Sequence, residues 1–150
     1  MNKQRMFVLA LPSLSVLVLS FALWFLSSSS HYSFDPSLSS TTPSTLVLAF
    51  ISLLISAIII IFSRRYLSKP GSLPKVPLRF IDQGRVNFLP IPLAELLSPV
   101  LTENIIVLGF AAAFLSKNAA AYLPFLALWM ITFAYVARLM LSLPEPEQPA

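Results

Sequence analysis

The sequence predicts an all-α integral membrane protein with four transmembrane helices, on three observations. Of its 150 residues, 57% are hydrophobic and 11% are charged, which is more apolar than an average globular domain. Long uncharged runs alternate with short polar stretches, as hydrocarbon-spanning helices require. Most Lys and Arg residues lie at the N-terminus or in one central segment, so both places are expected in the cytosol. One membrane domain, 1–150, is therefore expected to form two antiparallel hairpins with cytosolic termini.

The first span is predicted over about 6–26, an uncharged run that follows Lys3 and Arg5. A cleavable signal peptide has an apolar core of roughly 7 to 15 residues and an A-x-A-like cleavage site. This run is longer and lacks that site, so an anchor helix that stays in the protein is expected. Pro12 within it predicts a kink.

The second span is predicted over about 45–62. Before it, residues 27–44 are rich in serine, threonine and proline without a basic residue, which is typical of a loop outside the cytosol. After it, Arg64 and Arg65 end the apolar run on the cytosolic side.

Residues 63–87 are predicted to form a basic cytosolic loop. Its prolines and glycines exclude a long helix and favour extended or turning structure. Basic residues beside a membrane attract anionic headgroups, at about 1 kcal/mol each. We expect lipid contact for six of them, with an acidic partner as the alternative: Arg64, Arg65, Lys69, Lys75, Arg79 and Arg85. Because topology explains this charge, no nucleic-acid partner is predicted.

The third span has two interpretations, because residues 88–101 are apolar yet contain Glu95 and three prolines. In one, Pro92 opens a continuous helix to Ser116, kinked at Pro99. In the other, residues 92–102 form a short interfacial helix and the span covers about 103–116. Both interpretations place Glu95 at water.

The fourth span is predicted over 121–143, and a short turn joins it to the third in an antiparallel hairpin. The tail, 144–150, alternates proline with glutamate and is expected to be disordered.

Glu103 and Arg138 are the chief candidates for a polar site within the membrane. In a hairpin that turns near residues 119–120 they reach the same depth, about 25 Å below the outer surface and towards the inner edge. Three interpretations follow: separate contacts with water and headgroups, a static interhelical ion pair, or a transport or proton-relay role.

Small residues on two spans favour close helix packing. They are Gly109, Ala112 and Ala113 on the third span and Ser52 and Ser56 on the second. Such a face serves the protein's own bundle, another subunit or a homo-oligomer.

Catalytic, cofactor and metal sites are not predicted. The chain has no cysteine and one histidine, His31, which with Asp35 does not complete a ligand set. Neither a Gly-x-Ser-x-Gly elbow nor a glycine-rich phosphate loop is present in the sequence. The inner bacterial membrane and the endoplasmic reticulum membrane both fit.

The expected function is that of a non-enzymatic accessory or scaffold subunit, bound to the bilayer and to other membrane protein subunits. The first alternative is a small homo-oligomeric transporter or channel that uses Glu103 and Arg138. The second is a lipid-modifying enzyme at the inner interface, using Asp82, Arg85, Glu95 and Glu103.

Overall fold

The computed structural model describes residues 3–28, 32–37, 42–67, 74–82 and 85–143. Within these ranges the protein has four long helices and one β-hairpin. The helices are α1 (Lys3–Ser27), α2 (Pro43–Leu67), α3 (Leu93–Ser116) and α4 (Leu123–Ser142). The strands are β1 (Lys75–Asp82) and β2 (Arg85–Pro92), and a 3-10 turn, Ala119–Tyr122, precedes α4. The predicted tail 144–150, His31 and Lys69 lie outside the described residues.

All four helices are long and apolar enough to cross a membrane, so the chain is an integral membrane protein. Many large apolar side chains are exposed on them, among them Trp24, Phe50 and Ile131. In water such a surface would be unfavourable, whereas lipid acyl chains solvate it. The sidedness of the termini and the two-hairpin arrangement stay predictions.

The helix ends follow from local chemistry. Thr42 caps α2 by accepting the N–H of Thr45 on its hydroxyl (3.3 Å), and Pro43 opens the helix, where its missing N–H costs nothing. Helix α3 ends at Ser116; the next residue, Lys117, has φ 51°, and the N–H of Asn118 donates to the carbonyl of Ala113 (3.2 Å). This left-handed residue turns the chain sharply towards α4.

Helix α3 is continuous from Leu93, which corresponds to the first of the two interpretations of this region. It begins directly after the hairpin, and the N–H of Leu93 donates to the carbonyl of Pro74 (3.0 Å). Pro99 is accommodated inside the helix, and the hydroxyl of Thr102 donates to the carbonyl of Pro99 (2.6 Å).

The β-hairpin lies in and beyond the predicted basic loop, and its prolines protect its edges. The Leu93–Pro74 bond marks a hydrogen-bonded pair, and such pairs alternate with non-hydrogen-bonded ones in an antiparallel ladder. Pro77 pairs with Pro90 at a non-hydrogen-bonded position, where N–H groups point away from the partner strand. Proline therefore removes no ladder bond there and leaves no free edge donor.

Helix α3 lies at the centre of the bundle. It packs against α1, α2 and α4, whereas α1 packs chiefly against α3. Helices α1 and α3 run in the same direction. Arg5 contacts Glu95, and Ser15, further along α1, contacts Glu103, further along α3. Helices α1 and α2, consecutive in the chain, are thus each placed mainly by α3.

Candidate functional site

One end of the bundle is held by a buried ion pair, which we call the Arg5 cluster. The guanidinium of Arg5 donates through Nε and Nη2 to the two carboxylate oxygens of Glu95, both at 3.1 Å. Its Nη1 donates to the carbonyl of Leu143 (2.9 Å). Arg5 is only 6% exposed, so the cluster joins the start of α1, the start of α3 and the end of α4. Bidentate geometry of this kind is the strongest form of the contact.

The opposite end is held by Asn118, which is buried. Its Oδ1 accepts the N–H groups of Asp35 (3.1 Å) and Ala120 (3.0 Å), and its Nδ2 donates to the carbonyl of Asp35 (2.8 Å). The backbone of Ser33 also bonds to Lys117 and Ala119 at 2.9 Å. The segment 32–37 is therefore fixed to the α3–α4 turn. Hydrogen bonds from the backbone and hydroxyl of Ser37 lower the pKa of Asp35.

Between these ends, the polar flank lies on α1 and α3; we define it as Ser15, Glu103 and Asn104. The hydroxyl of Ser15 donates to Glu103 Oε1 (3.2 Å), and Glu103 is half-buried. Asn104 is exposed, and its Nδ2 donates to the carbonyl of Leu101 on its own helix (3.0 Å). Glu103 and Asn104 are thus an ionisable and an amide side chain at the bundle surface.

The polar flank lies near the middle of α1 and α3 along their lengths. Ser15 has twelve residues of α1 on either side, and Glu103 has ten residues of α3 before it and thirteen after it. At 1.5 Å per residue, Glu103 is about 15 Å from one end of α3 and about 20 Å from the other. A hydrocarbon core is about 30 Å thick. Glu103 therefore lies near the middle of α3, and its depth in a membrane stays a prediction.

Glu103 and Arg138 are not brought together as a salt bridge in the described part of the chain. Glu103 lies against α1 through Ser15, while Arg138 is exposed on α4. Equal depth in a hairpin does not fix the direction in which each side chain leaves its helix. The carboxylates proposed for lipid chemistry are also spread out, since Glu95 is bound to Arg5, and Glu103 lies eight residues further along α3.

The small-residue face packs inside the chain. Gly109 lies so close to α4 that a Cβ there would come within 2.5 Å of Phe125 Cβ. Ala112, Ala113, Ser52 and Ser56 are buried, and Ser56 hydrogen-bonds to Thr132 of α4 at 2.7 Å. This face is consequently not free to receive another subunit.

The basic residues predicted to contact headgroups are placed in part. Arg64 and Arg65 are exposed at the end of α2, and Lys75 is exposed at the start of β1. Arg79 and Arg85 lie on the strands of the hairpin, opposite Phe88 and Asp82 in register, with side chains outside the described part. Lipid contact by these residues stays a prediction.

Two concave regions accompany these clusters. A groove of about 690 Å³ lies between α1 and α4, and its lining is apolar apart from Ser13, whose hydroxyl donates to Leu9 of its own helix. A pocket of about 270 Å³ at the Asn118 end is lined in part by Asp35 and Thr45. The groove suits acyl chains.

No protein-family model, curated protein or solved structure matches this chain.

The sequence did not reveal the Arg5–Glu95 and Ser15–Glu103 contacts. Each joins α1 to α3, and the paired residues are 90 and 88 positions apart in the chain. Short-range periodicity carries no information on such distant pairs. The sequence offered one indirect signal. A charged group inside or beside an apolar run is unfavourable in free energy unless it has a partner.

Proposed function

We propose that this protein is a non-catalytic accessory or scaffold subunit of a larger membrane protein complex. The observation that supports this most is the polar flank, which presents Glu103 and Asn104 at the bundle surface near the middle of α3. Lipid acyl chains offer neither hydrogen bonds nor charge to these groups. A neighbouring protein helix supplies both, and polar side chains commonly join helices within membranes.

The surroundings of the polar flank favour helix docking. On α3 it is bordered by Val100 and Val107, one turn away on either side, and on α1 by Leu11, all three being exposed. A polar centre with an apolar rim gives a second helix both a packing surface and a hydrogen-bonding point. Leaving such groups in lipid costs about 2.5–3.5 kcal/mol for a charge at the centre of a helix, so a partner is favoured.

The experiment is extraction of a tagged chain from its native membranes in a mild detergent, followed by mass spectrometry of what co-purifies in fixed stoichiometry. The same extraction is run on Glu103→Leu/Asn104→Leu, which makes the flank apolar. Arg138→Leu is the matched control because it removes an exposed charge from α4. We expect the partner set to be lost in the double variant and retained in the control. A chain that elutes alone in all three cases contradicts the proposal.

A second candidate is a small homo-oligomeric transporter or channel. It is favoured by the depth of Glu103, since coupling carboxylates of transporters lie near the midplane. Arg138 is exposed on a different helix, so this version depends on Glu103 alone. Loss of solute or proton flux in proteoliposomes of a folded Glu103→Gln variant supports this candidate, and unchanged flux counts against it.

A further inference from the structure

The carboxylate of Glu103 has unused hydrogen-bonding capacity. An ionised carboxylate offers about four acceptor sites, and within the described residues Glu103 is bonded by the hydroxyl of Ser15 alone. That hydroxyl has a single hydrogen, which it also directs at the carbonyl of Leu11 (3.4 Å). The carboxylate is therefore poorly stabilised by its own chain.

Asn104, which is exposed, also has hydrogen-bonding groups that the described residues do not use. Its amide nitrogen donates one hydrogen to Leu101. In the described part of the chain, no further bond is formed by its second amide hydrogen or its carbonyl oxygen. Glu103 and Asn104, consecutive on α3, thus offer a carboxylate and an amide on adjoining parts of the helix surface. A bound side chain that carries several donors and a positive charge would satisfy both.

We infer that the polar flank binds a transmembrane helix of a partner protein that carries a lysine or arginine near the middle of its span. This inference rests on the proposed subunit function and names the partner's chemistry. A buried basic side chain in the partner needs a counter-ion as much as Glu103 does, and pairing removes both costs. Lysine donates three hydrogens and arginine five, enough for the carboxylate and the Asn104 carbonyl together.

Other occupants fit less well. A second copy of this chain, related by two-fold symmetry, would bring its own Glu103 to the same depth, so two like charges would meet in a low dielectric. A phospholipid carries its charged headgroup at the interface, about 15 Å from the midplane, and its acyl chains have no donors. Only a protein helix delivers a fixed cation at mid-depth.

The test uses the full chain, labelled with a donor fluorophore, in proteoliposomes of neutral phosphatidylcholine. The partners are synthetic helices of about 20 leucine and alanine residues, labelled with an acceptor and differing at one central position: lysine, glutamine or leucine. Energy transfer measures the affinity of each. We expect the lysine helix to bind on the order of tenfold more tightly than the leucine helix, with glutamine between them.

Variants assign the preference to the flank. Glu103→Gln keeps the shape but not the charge, and it should abolish the preference for lysine over glutamine. Arg138→Leu removes an exposed charge from α4, outside the polar flank, and should retain that preference. The comparison of the three helices on the unmodified chain keeps the test decisive if a variant folds poorly. Equal binding of all three helices overturns the inference, as does a lysine preference that survives Glu103→Gln.

Self-association is a separate outcome. If transfer between two differently labelled copies of the chain is lost in Glu103→Leu/Asn104→Leu, the flank binds a second copy and the inference fails. Failure here is distinct from failure of the proposed function. One outcome is that partners co-purify from native membranes through the flank while the liposome test shows no lysine preference. That result leaves the subunit proposal standing and contradicts only the inference that the partner helix carries a basic residue.

Discussion

Arg5 and Glu95 show how a charge near the membrane is made tolerable. Both side chains are largely buried, and the two bonds of the fork fix the start of α1 on the start of α3. Removing Arg5 leaves the charge of Glu95 buried without this counter-ion, which is costlier than removing both side chains.

Arg5→Met should therefore lower the free energy of unfolding by about 3 kcal/mol. The double variant Arg5→Met/Glu95→Leu should recover much of this loss, because no isolated charge remains. Unfolding of micellar protein by sodium dodecyl sulfate measures both values. If the double variant is as unstable as the sum of the two single variants, the pair does not act as a unit.

Gly109 illustrates two opposing effects at one position. Alanine is the better helix former, by about 1 kcal/mol. At this position, however, the added methyl group would lie 2.5 Å from Phe125 Cβ and 2.9 Å from its Cγ, closer than two carbon atoms can approach. The helices must separate, and overpacking costs about 1–3 kcal/mol.

We therefore expect Gly109→Ala to destabilise the protein despite its propensity gain. Val107→Ala, at an exposed position on the same helix, is the control and should change the unfolding free energy by less than about 1 kcal/mol. The same denaturation in micelles measures both. A stabilised Gly109→Ala protein would show that α3 and α4 are not in this close contact.

For the β-hairpin, the register alone predicts which backbone amides of β1 exchange slowly with solvent. Leu78 and Phe80 occupy hydrogen-bonded positions, while Arg79 and Ile81 occupy the alternate ones. Hydrogen exchange should therefore be slow at the amides of 78 and 80 and fast at 79 and 81. Pro77→Ala should leave this alternation unchanged, whereas Leu78→Pro should abolish protection at 80. Uniform exchange rates along β1 would contradict the register.

The four helices were predictable from the sequence because each rests on a local signal. An uncharged run such as 45–62 needs no knowledge of its neighbours to be recognised as a span. The hairpin was anticipated only as extended structure, since pairing Pro77 with Pro90 requires knowing where the strands turn. Prolines in a strand look unfavourable until the register shows that they fall on the outward positions.

The candidate site was predictable only in part, because its contacts join residues that are distant in the sequence. Glu103 stands out in the sequence because it is a charge close to an apolar run. Its neighbour Ser15 lies on α1, and no rule of sequence spacing indicates that α1 packs beside α3. Arg138 was chosen by depth, but the helical phase of its side chain directs it elsewhere, and depth alone does not determine contact.

The whole molecule has two ends with different chemistry. Arg5, Glu95 and Leu143 mark one end, and Ser33 and Asn118 mark the other. Since the chain contains no cysteine, single cysteines introduced at exposed positions report their side of the membrane directly. We expect Ser37→Cys to react with a membrane-impermeant maleimide from outside, and Arg65→Cys only from the cytosolic side. Labelling of both from the same side would refute this topology.

What covers the polar flank in the native membrane decides whether this protein is a subunit. Val107 is 54% exposed and lies one turn from Glu103, while Ile131 on α4 is 68% exposed and serves as the control. A short photo-reactive maleimide attached to Val107→Cys or Ile131→Cys is activated in native membranes. We expect position 107 to yield one protein adduct of fixed mass, lost when Glu103→Leu is added, and position 131 to yield lipid adducts. If position 107 also yields lipid adducts alone, the flank faces the bilayer, and the account of this protein as a subunit is wrong.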